Sequence, residues 1–153
     1  MTDHAPSSRQ AGLPTRQRVL AAILSAVLLA WLVVGSALVP EPSGMGTHRQ
    51  LGAPPCGWLV AFRKPCPTCG MTTAFSAACR GRVIEALRAQ PFAAVLAVGV
   101  SAGFWACLHT AATGWGSAGV YAFLLRPRWI WAMLGLLALS WGMRLAAVTG
   151  EPW

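Results

Sequence analysis

The chain has 153 residues, of which 56% are hydrophobic and only 10% charged, and its formal net charge is +8. Soluble domains carry about 25% charged residues, so this composition excludes an ordinary soluble enzyme, which needs a charged surface to stay dispersed. It also excludes a wholly disordered chain, since disorder requires low hydrophobicity. A single integral membrane domain is the class that remains.

The N-terminal part predicts a basic tail and a first transmembrane helix. Residues 1–18 are polar and predict a disordered tail, and residues 19–39 follow without a charge. A helix over 19–39 is about 32 Å long, enough to cross a hydrocarbon core of about 30 Å. A cleaved signal peptide is the alternative, because the small residues at 35–37 resemble a cleavage site. The apolar run exceeds the signal-peptide norm of about 7–15 residues, which favours a retained helix.

Residues 40–90 predict a loop that contains short helices. Pro, Gly, Ser and Thr dominate the first part of this segment and are typical of loops. At the end of the segment, residues 83–89 predict a short helix with Glu85 and Arg88 three residues apart. Two short apolar stretches precede it, at 58–62 and 71–79. Neither is long enough to span a bilayer, which favours short helices in the membrane interface or against the spans. The second has a predicted apolar face made of Met71, Phe75, Ala78 and Cys79.

The C-terminal part predicts a transmembrane hairpin over residues 91–148, followed by a tail at 149–153. Residues 92–113 and 129–143 carry no charge, and Pro91 suits the first turn of a helix. Arg144 is predicted to extend its side chain towards the lipid headgroups. The sequence therefore predicts an all-α membrane protein with three transmembrane helices.

The positive charge of the chain fits this class. Its basic residues are scattered along the sequence, which is typical of residues that flank spans and meet lipid headgroups. We therefore predict the lipid bilayer as a partner, and not nucleic acid. The positive-inside rule leaves the topology open, with a small bias towards a cytoplasmic 40–90 loop.

Cysteines are concentrated in one part of this loop. Four of the five lie between residues 56 and 79, and the fifth lies in the second predicted span; they are Cys56, Cys66, Cys69, Cys79 and Cys107. An odd number does not form a fully paired disulfide framework. The chemistry of the chain is therefore predicted to lie in the 40–90 loop.

Cys66 and Cys69 form a C-x-x-C pair. Pro67 predicts that a helix begins here, with Cys66 at its cap. The positive end of that helix, together with Arg63 and Lys64, favours thiolates.

Three chemistries are open for these cysteines. The first is a structural disulfide or a set of buried thiols. The second is a metal site, with zinc as the candidate ion, Cys56, Cys66 and Cys69 as ligands, and His48 as a candidate fourth ligand. The third is a redox dithiol in which Cys66 is the nucleophile and Cys69 the resolving thiol. No β-α-β pattern surrounds the pair, so a thioredoxin-like domain is not indicated.

The cysteine segment resembles a known family of small bacterial membrane proteins, domain-of-unknown-function family 2752. The resemblance covers about residues 50–145 and is carried by Cys56, by Pro65-Cys66-Pro67-Thr68-Cys69-Gly70-Met71-Thr72 and by Gln90-Pro91. It implies a membrane location and the predicted fold, and no established activity.

The resemblance also bears on the site residues. Cys79 and Cys107 lie outside the family pattern, so it favours Cys56, Cys66 and Cys69 as the set. The family often carries Arg after the threonine of its motif, where this chain has Thr73. A role of that Arg is therefore not transferred to this chain.

Together these observations predict a non-enzymatic accessory or scaffold protein of the bacterial plasma membrane. Its C-P-x-C loop is held by a disulfide or a bound metal, and meets another membrane protein or a second copy of the chain. The alternative is a membrane-anchored thiol-disulfide oxidoreductase that uses Cys66 and Cys69.

Overall fold

A computed structural model describes residues 13–115 and 126–148. Its three long helices are α1 (Thr15–Ala37), α5 (Pro91–Thr113) and α6 (Pro127–Val148). The segment between α1 and α5 holds a 3-10 helix (Thr47–Leu51), α2 (Gly57–Phe62), α3 (Met71–Cys79) and α4 (Val83–Ala89). The described residues contain no β-strand, so the predicted all-α fold class is confirmed.

All three long helices are long and apolar enough to cross a membrane. They expose large apolar side chains, among them Trp31, Val98 and Trp131. Apolar surface of this extent is unfavourable in water but matches the hydrocarbon of a bilayer. The chain is therefore an integral membrane protein, as predicted.

Helices α1 and α5 pack antiparallel. Arg18, in the first turns of α1, donates hydrogen bonds of 3.0–3.1 Å to the carbonyls of Ala111 and Ala112 near the end of α5. Near the middle of the pair, a Cβ atom on Gly103 would lie 3.4 Å from Leu28 Cδ1. Gly103 therefore faces α1 where the two helices are in contact.

A core of alanines joins the short helices to the start of α5. The buried alanines come from α3, α4 and α5 and are Ala74, Ala77, Ala86, Ala89, Ala93 and Ala94. Such small side chains let backbones approach closely. The short helices therefore form a compact unit at one end of the long helices.

The most buried face of α3 differs from the predicted one. It consists of Thr73, Ala74, Ser76 and Ala77, while the predicted face of Met71, Phe75, Ala78 and Cys79 is only half-buried. The reason is that both buried hydroxyls have partners, which removes the cost of burying them. Ser76 Oγ donates to the Leu38 carbonyl at 2.6 Å, and the hydroxyls of Thr73 and Thr47 are 2.8 Å apart.

Helix α6 is attached to the rest of the chain by polar contacts near its C-terminal end. Ser140 Oγ accepts a hydrogen bond from the Phe92 backbone at 3.2 Å. Arg144 donates from Nε to the Ala89 carbonyl at 2.8 Å and from Nη2 to the Gly44 carbonyl at 2.7 Å. Arg144 thus points into the 40–90 segment and not towards the headgroups as predicted, because that segment folds over this end of α6 and offers it carbonyl groups.

The contact between α1 and α3 generates a first prediction. A Cβ atom on Gly35 would lie 2.7 Å from Phe75 Cε1 and 2.9 Å from Cys79 Sγ. Replacing Gly35 by leucine should therefore destabilise the fold by about 1–3 kcal/mol, the usual cost of overpacking. Thermal unfolding in detergent measures the effect. Gly99→Leu is the matched control, because nothing lies within 4 Å of that position, and equal melting temperatures for the two variants would contradict the expectation.

Arg144 generates a second prediction. Arg144→Met leaves the Ala89 and Gly44 carbonyls without their donors, and an unsatisfied buried acceptor costs about 1–3 kcal/mol. We expect a lower midpoint of chemical unfolding in detergent. The control is Arg88→Met, which removes the same charge from an exposed position on α4. An unchanged midpoint for Arg144→Met would show that these hydrogen bonds do not stabilise the fold.

Candidate metal centre

Residues 65–70 form a tight turn. The Cys69 amide donates to the Cys66 carbonyl at 3.0 Å, and α3 begins only at Met71. The prediction that a helix begins at Cys66 is therefore wrong. Pro67 is equally suited to the second position of a β-turn, and Gly70, at φ +88°, separates the turn from the helix.

Gly70 is also required by close packing. A Cβ atom there would lie 2.9 Å from both Arg144 Nη2 and the Gly44 carbonyl oxygen. Both the positive φ and this crowding favour glycine. The turn is therefore seated directly against α6 and against the segment that follows α1.

Two side chains bind the carbonyls of the turn, one from α6 and one from the residue that directly precedes α5. Trp141 donates its indole N–H to the Pro65 carbonyl at 3.0 Å, and Gln90 donates its amide to the Pro67 carbonyl at 2.9 Å. Pro65 and Gln90 are both fully buried. The sequence analysis noted the Gln90-Pro91 pair but missed this role of Gln90. The signal that could have indicated it is a polar residue directly before a span.

The turn and the start of α2 bring three sulfur atoms together. The Sγ atoms of Cys66 and Cys69 are 3.1 Å apart, and the Sγ atoms of Cys56, Cys66 and Cys69 all lie within 4.8 Å of one another. Zinc–sulfur bonds of about 2.3 Å in a tetrahedron place sulfur atoms about 3.8 Å apart. Shifts of about 1 Å therefore bring the three sulfurs to zinc geometry, and the residues present fit a metal ion.

The other cysteines lie elsewhere. Cys79 Sγ faces α1 at Gly35, and Cys107 is buried within α5.

Cys66 and Cys69 do not form a disulfide in the structure. Their sulfurs are at hydrogen-bond distance, which is longer than the disulfide bond of about 2.05 Å. The structure therefore shows a three-cysteine cluster of thiols, Cys56, Cys66 and Cys69.

The two thiols of the C-x-x-C pair differ in acidity. Burial raises the pKa of Cys66, but hydrogen bonds from Thr68, Cys69 and Cys56 outweigh it and bring that pKa down to about 7. Burial raises the pKa of Cys69 and its hydrogen bond to Cys66 raises it further, to about 12. Between these two pKa values the pair therefore shares one proton. Cys66 therefore favours the thiolate, as predicted. Hydrogen bonds lower its pKa, whereas the sequence analysis expected a helix terminus to do so.

A cavity of about 550 Å³ lies beside the three-cysteine cluster. Besides the three cysteines, its lining includes the potential metal donors Met45, His48 and Met71. His48 is not among the groups that lie within 4.8 Å of all three sulfurs. No carboxylate of the described residues lines this cavity, so apart from hydroxyl groups the side-chain metal donors there are sulfur and nitrogen.

The acidity of Cys66 generates a third prediction. In reduced, metal-free protein, the rate of alkylation of Cys66 by iodoacetamide should rise with a midpoint near pH 7, because the thiolate is the nucleophile. Mass spectrometry of the modified peptide gives the rate. In Thr68→Ala the hydroxyl 3.3 Å from Cys66 Sγ is lost, so the midpoint should move to higher pH. A midpoint near 9 in the unmodified chain, the ordinary value for this thiol, would contradict the assignment.

The comparisons with known proteins give one match, and it covers the residues of this site. No curated protein and no solved structure matches the chain. Residues 56–104 match the model of a family described as "Protein of unknown function (DUF2752)". The matched segment contains the three-cysteine cluster, Gln90 and the first part of α5. Through this segment, about a third of its length, the chain is similar to the DUF2752 family, whose function is unknown.

Proposed function

We propose that the chain is a non-enzymatic accessory or scaffold protein of the bacterial plasma membrane, whose cysteine loop is organised by a bound zinc ion. The ligands are the thiolates of Cys56, Cys66 and Cys69. The ion ties the start of α2 to the turn that precedes α3. The rigid cap formed in this way is the surface that meets another membrane protein or a second copy of the chain.

The observation that carries this proposal is the third sulfur. A disulfide or a redox dithiol needs Cys66 and Cys69 alone. Cys56 comes from a separate segment, yet its sulfur lies within 4.8 Å of the other two. Three convergent thiols are a ligand set typical of zinc, whereas in a dithiol the third thiol contributes only a hydrogen bond that lowers the pKa of Cys66.

The surroundings of the cluster suit an anionic metal–thiolate centre. Three thiolates and one Zn²⁺ ion carry a net charge of −1. Arg49 lines the adjacent cavity, and the Arg144 guanidinium interacts electrostatically with Cys69. These cations offset the charge of the centre and favour the deprotonated cysteines that metal binding requires.

A surface for a partner adjoins this centre. Helix α2 begins directly after Cys56 and exposes Trp58, Val60 and Phe62. Because the zinc ion fixes the residue that precedes α2, it also fixes the orientation of these side chains. Apolar side chains held in this way suit contact with the membrane interface and with a neighbouring membrane protein.

Mutation of the third cysteine tests the proposal. Protein purified in detergent under reducing conditions should contain close to one zinc per chain by elemental analysis. Cys56→Ser should lose most of it, because two thiolates remain. Cys79→Ser is the matched control and should retain the metal, since that cysteine lies outside the cluster. Equal metal content in the two variants, or none in the unmodified chain after reconstitution with zinc, would overturn the proposal.

The second candidate is a membrane-anchored thiol-disulfide oxidoreductase, and the split acidity of the pair favours it. Cys66, with a pKa of about 7, would attack a disulfide of a partner protein. The partner releases one thiol, Cys69 displaces the other, and the chain keeps a Cys66–Cys69 disulfide while the partner's disulfide becomes two thiols. Retention of this exchange in Cys56→Ser, together with absence of metal in the unmodified chain, is the result that would favour this candidate.

A further inference from the structure

We infer that His48 is the fourth ligand of the zinc centre, which makes it a Cys₃His site closed by protein ligands. The inference rests on the proposed metal centre and adds to it a residue that comes from a different part of the chain. It specifies the kind of site, since three thiolates with a fourth protein ligand are typical of a structural zinc ion, whereas an open fourth position is typical of a catalytic one.

The chemistry of the cavity selects His48. Beyond the three cysteines, the lining offers two methionine thioethers and one imidazole as metal donors. Imidazole is the nitrogen ligand that zinc takes beside thiolates, whereas thioethers suit softer ions such as Cu(I). His48 is therefore the donor that completes a zinc tetrahedron.

The backbone that carries His48 is held beside the cysteine turn by two contacts. The Gly44 carbonyl oxygen would lie 2.9 Å from a Cβ atom on Gly70, so this segment crosses the turn next to Cys69. The fully buried Thr47 then shares a 2.8 Å hydrogen bond with Thr73 on α3. Since Thr47 directly precedes His48, the histidine is anchored to the helix into which the cysteine turn leads.

The imidazole of His48 is available for an ion. It is half-buried, and it makes no hydrogen bond to any residue between 13–115 or 126–148. Coordination requires the imidazole to move towards the three sulfurs within the cavity that it lines with them. His109 offers no competing ligand, because it lies near the far end of α5, beside Thr113.

Cobalt substitution tests the inference. Reduced, metal-free protein in detergent is titrated with Co²⁺, whose absorption reports tetrahedral geometry and thiolate ligation. His48→Ala should bind Co²⁺ about tenfold more weakly or worse and should change the visible d–d bands. His48→Cys should restore tight binding and raise the thiolate charge-transfer absorption by about one third, since four sulfurs then bind where three did. His109→Ala is the control and should match the unmodified chain.

The outcomes separate this inference from the proposed function. One outcome is that the unmodified chain shows a thiolate charge-transfer band while His48→Ala keeps the same Co²⁺ affinity and the same d–d bands. This outcome would overturn the role of His48 and leave the three-cysteine centre intact. Absence of that band in the unmodified chain would overturn the metal centre itself. X-ray absorption of the zinc-loaded unmodified chain gives an answer even if a variant does not fold. It should show three sulfurs near 2.3 Å and imidazole scattering, and a shell without imidazole would overturn the inference.

Discussion

An irregular backbone segment packed on apolar helices must find hydrogen-bond donors for its buried carbonyl groups, and this constraint shapes the whole molecule. Within a membrane protein, side chains of neighbouring helices have to supply these donors. Here Trp141, Gln90 and Arg144 bind four carbonyls of the segment between α1 and α5. The cysteine turn is therefore positioned by residues of the long helices, and the helices are joined through the turn.

The same constraint explains the ends of the helices. Ser76 and Arg80 on α3 both donate to the carbonyl of Leu38, just after the end of α1, and Arg18 does the same for the end of α5. Carbonyls in the last turn of a helix have no partner within it. Polar residues are scarce in this chain, and Arg18, Ser76 and Arg80 serve such carbonyls. The site and the fold consequently depend on the same few side chains.

The sequence predicted the spans because a long uncharged run in a bilayer is stable as a helix. It predicted the short helix over 71–79 from its apolar spacing and the one over 83–89 from the spacing of Glu85 and Arg88. It misplaced the start of the helix after Cys66, since Pro67 fits a turn as well as a helix. It also placed Arg144 at the headgroups, because nothing local in the sequence reveals that a distant carbonyl will accept its hydrogen bonds. Contacts between segments 55 or 100 residues apart leave no periodic signal.

The approach of Cys66 and Cys69 depends on local structure, whereas the approach of Cys56 depends on contacts between separate segments. Cys66 and Cys69 are three residues apart, and their sulfurs can approach in any chain that forms the turn. Cys56 reaches them only when the start of α2 is in place. A centre that uses all three thiols therefore exists in the folded chain and not in the unfolded one. Because a ligand that binds only the folded state stabilises it, a metal ion held by all three thiols would stabilise the fold, and the position of Cys56 decides this.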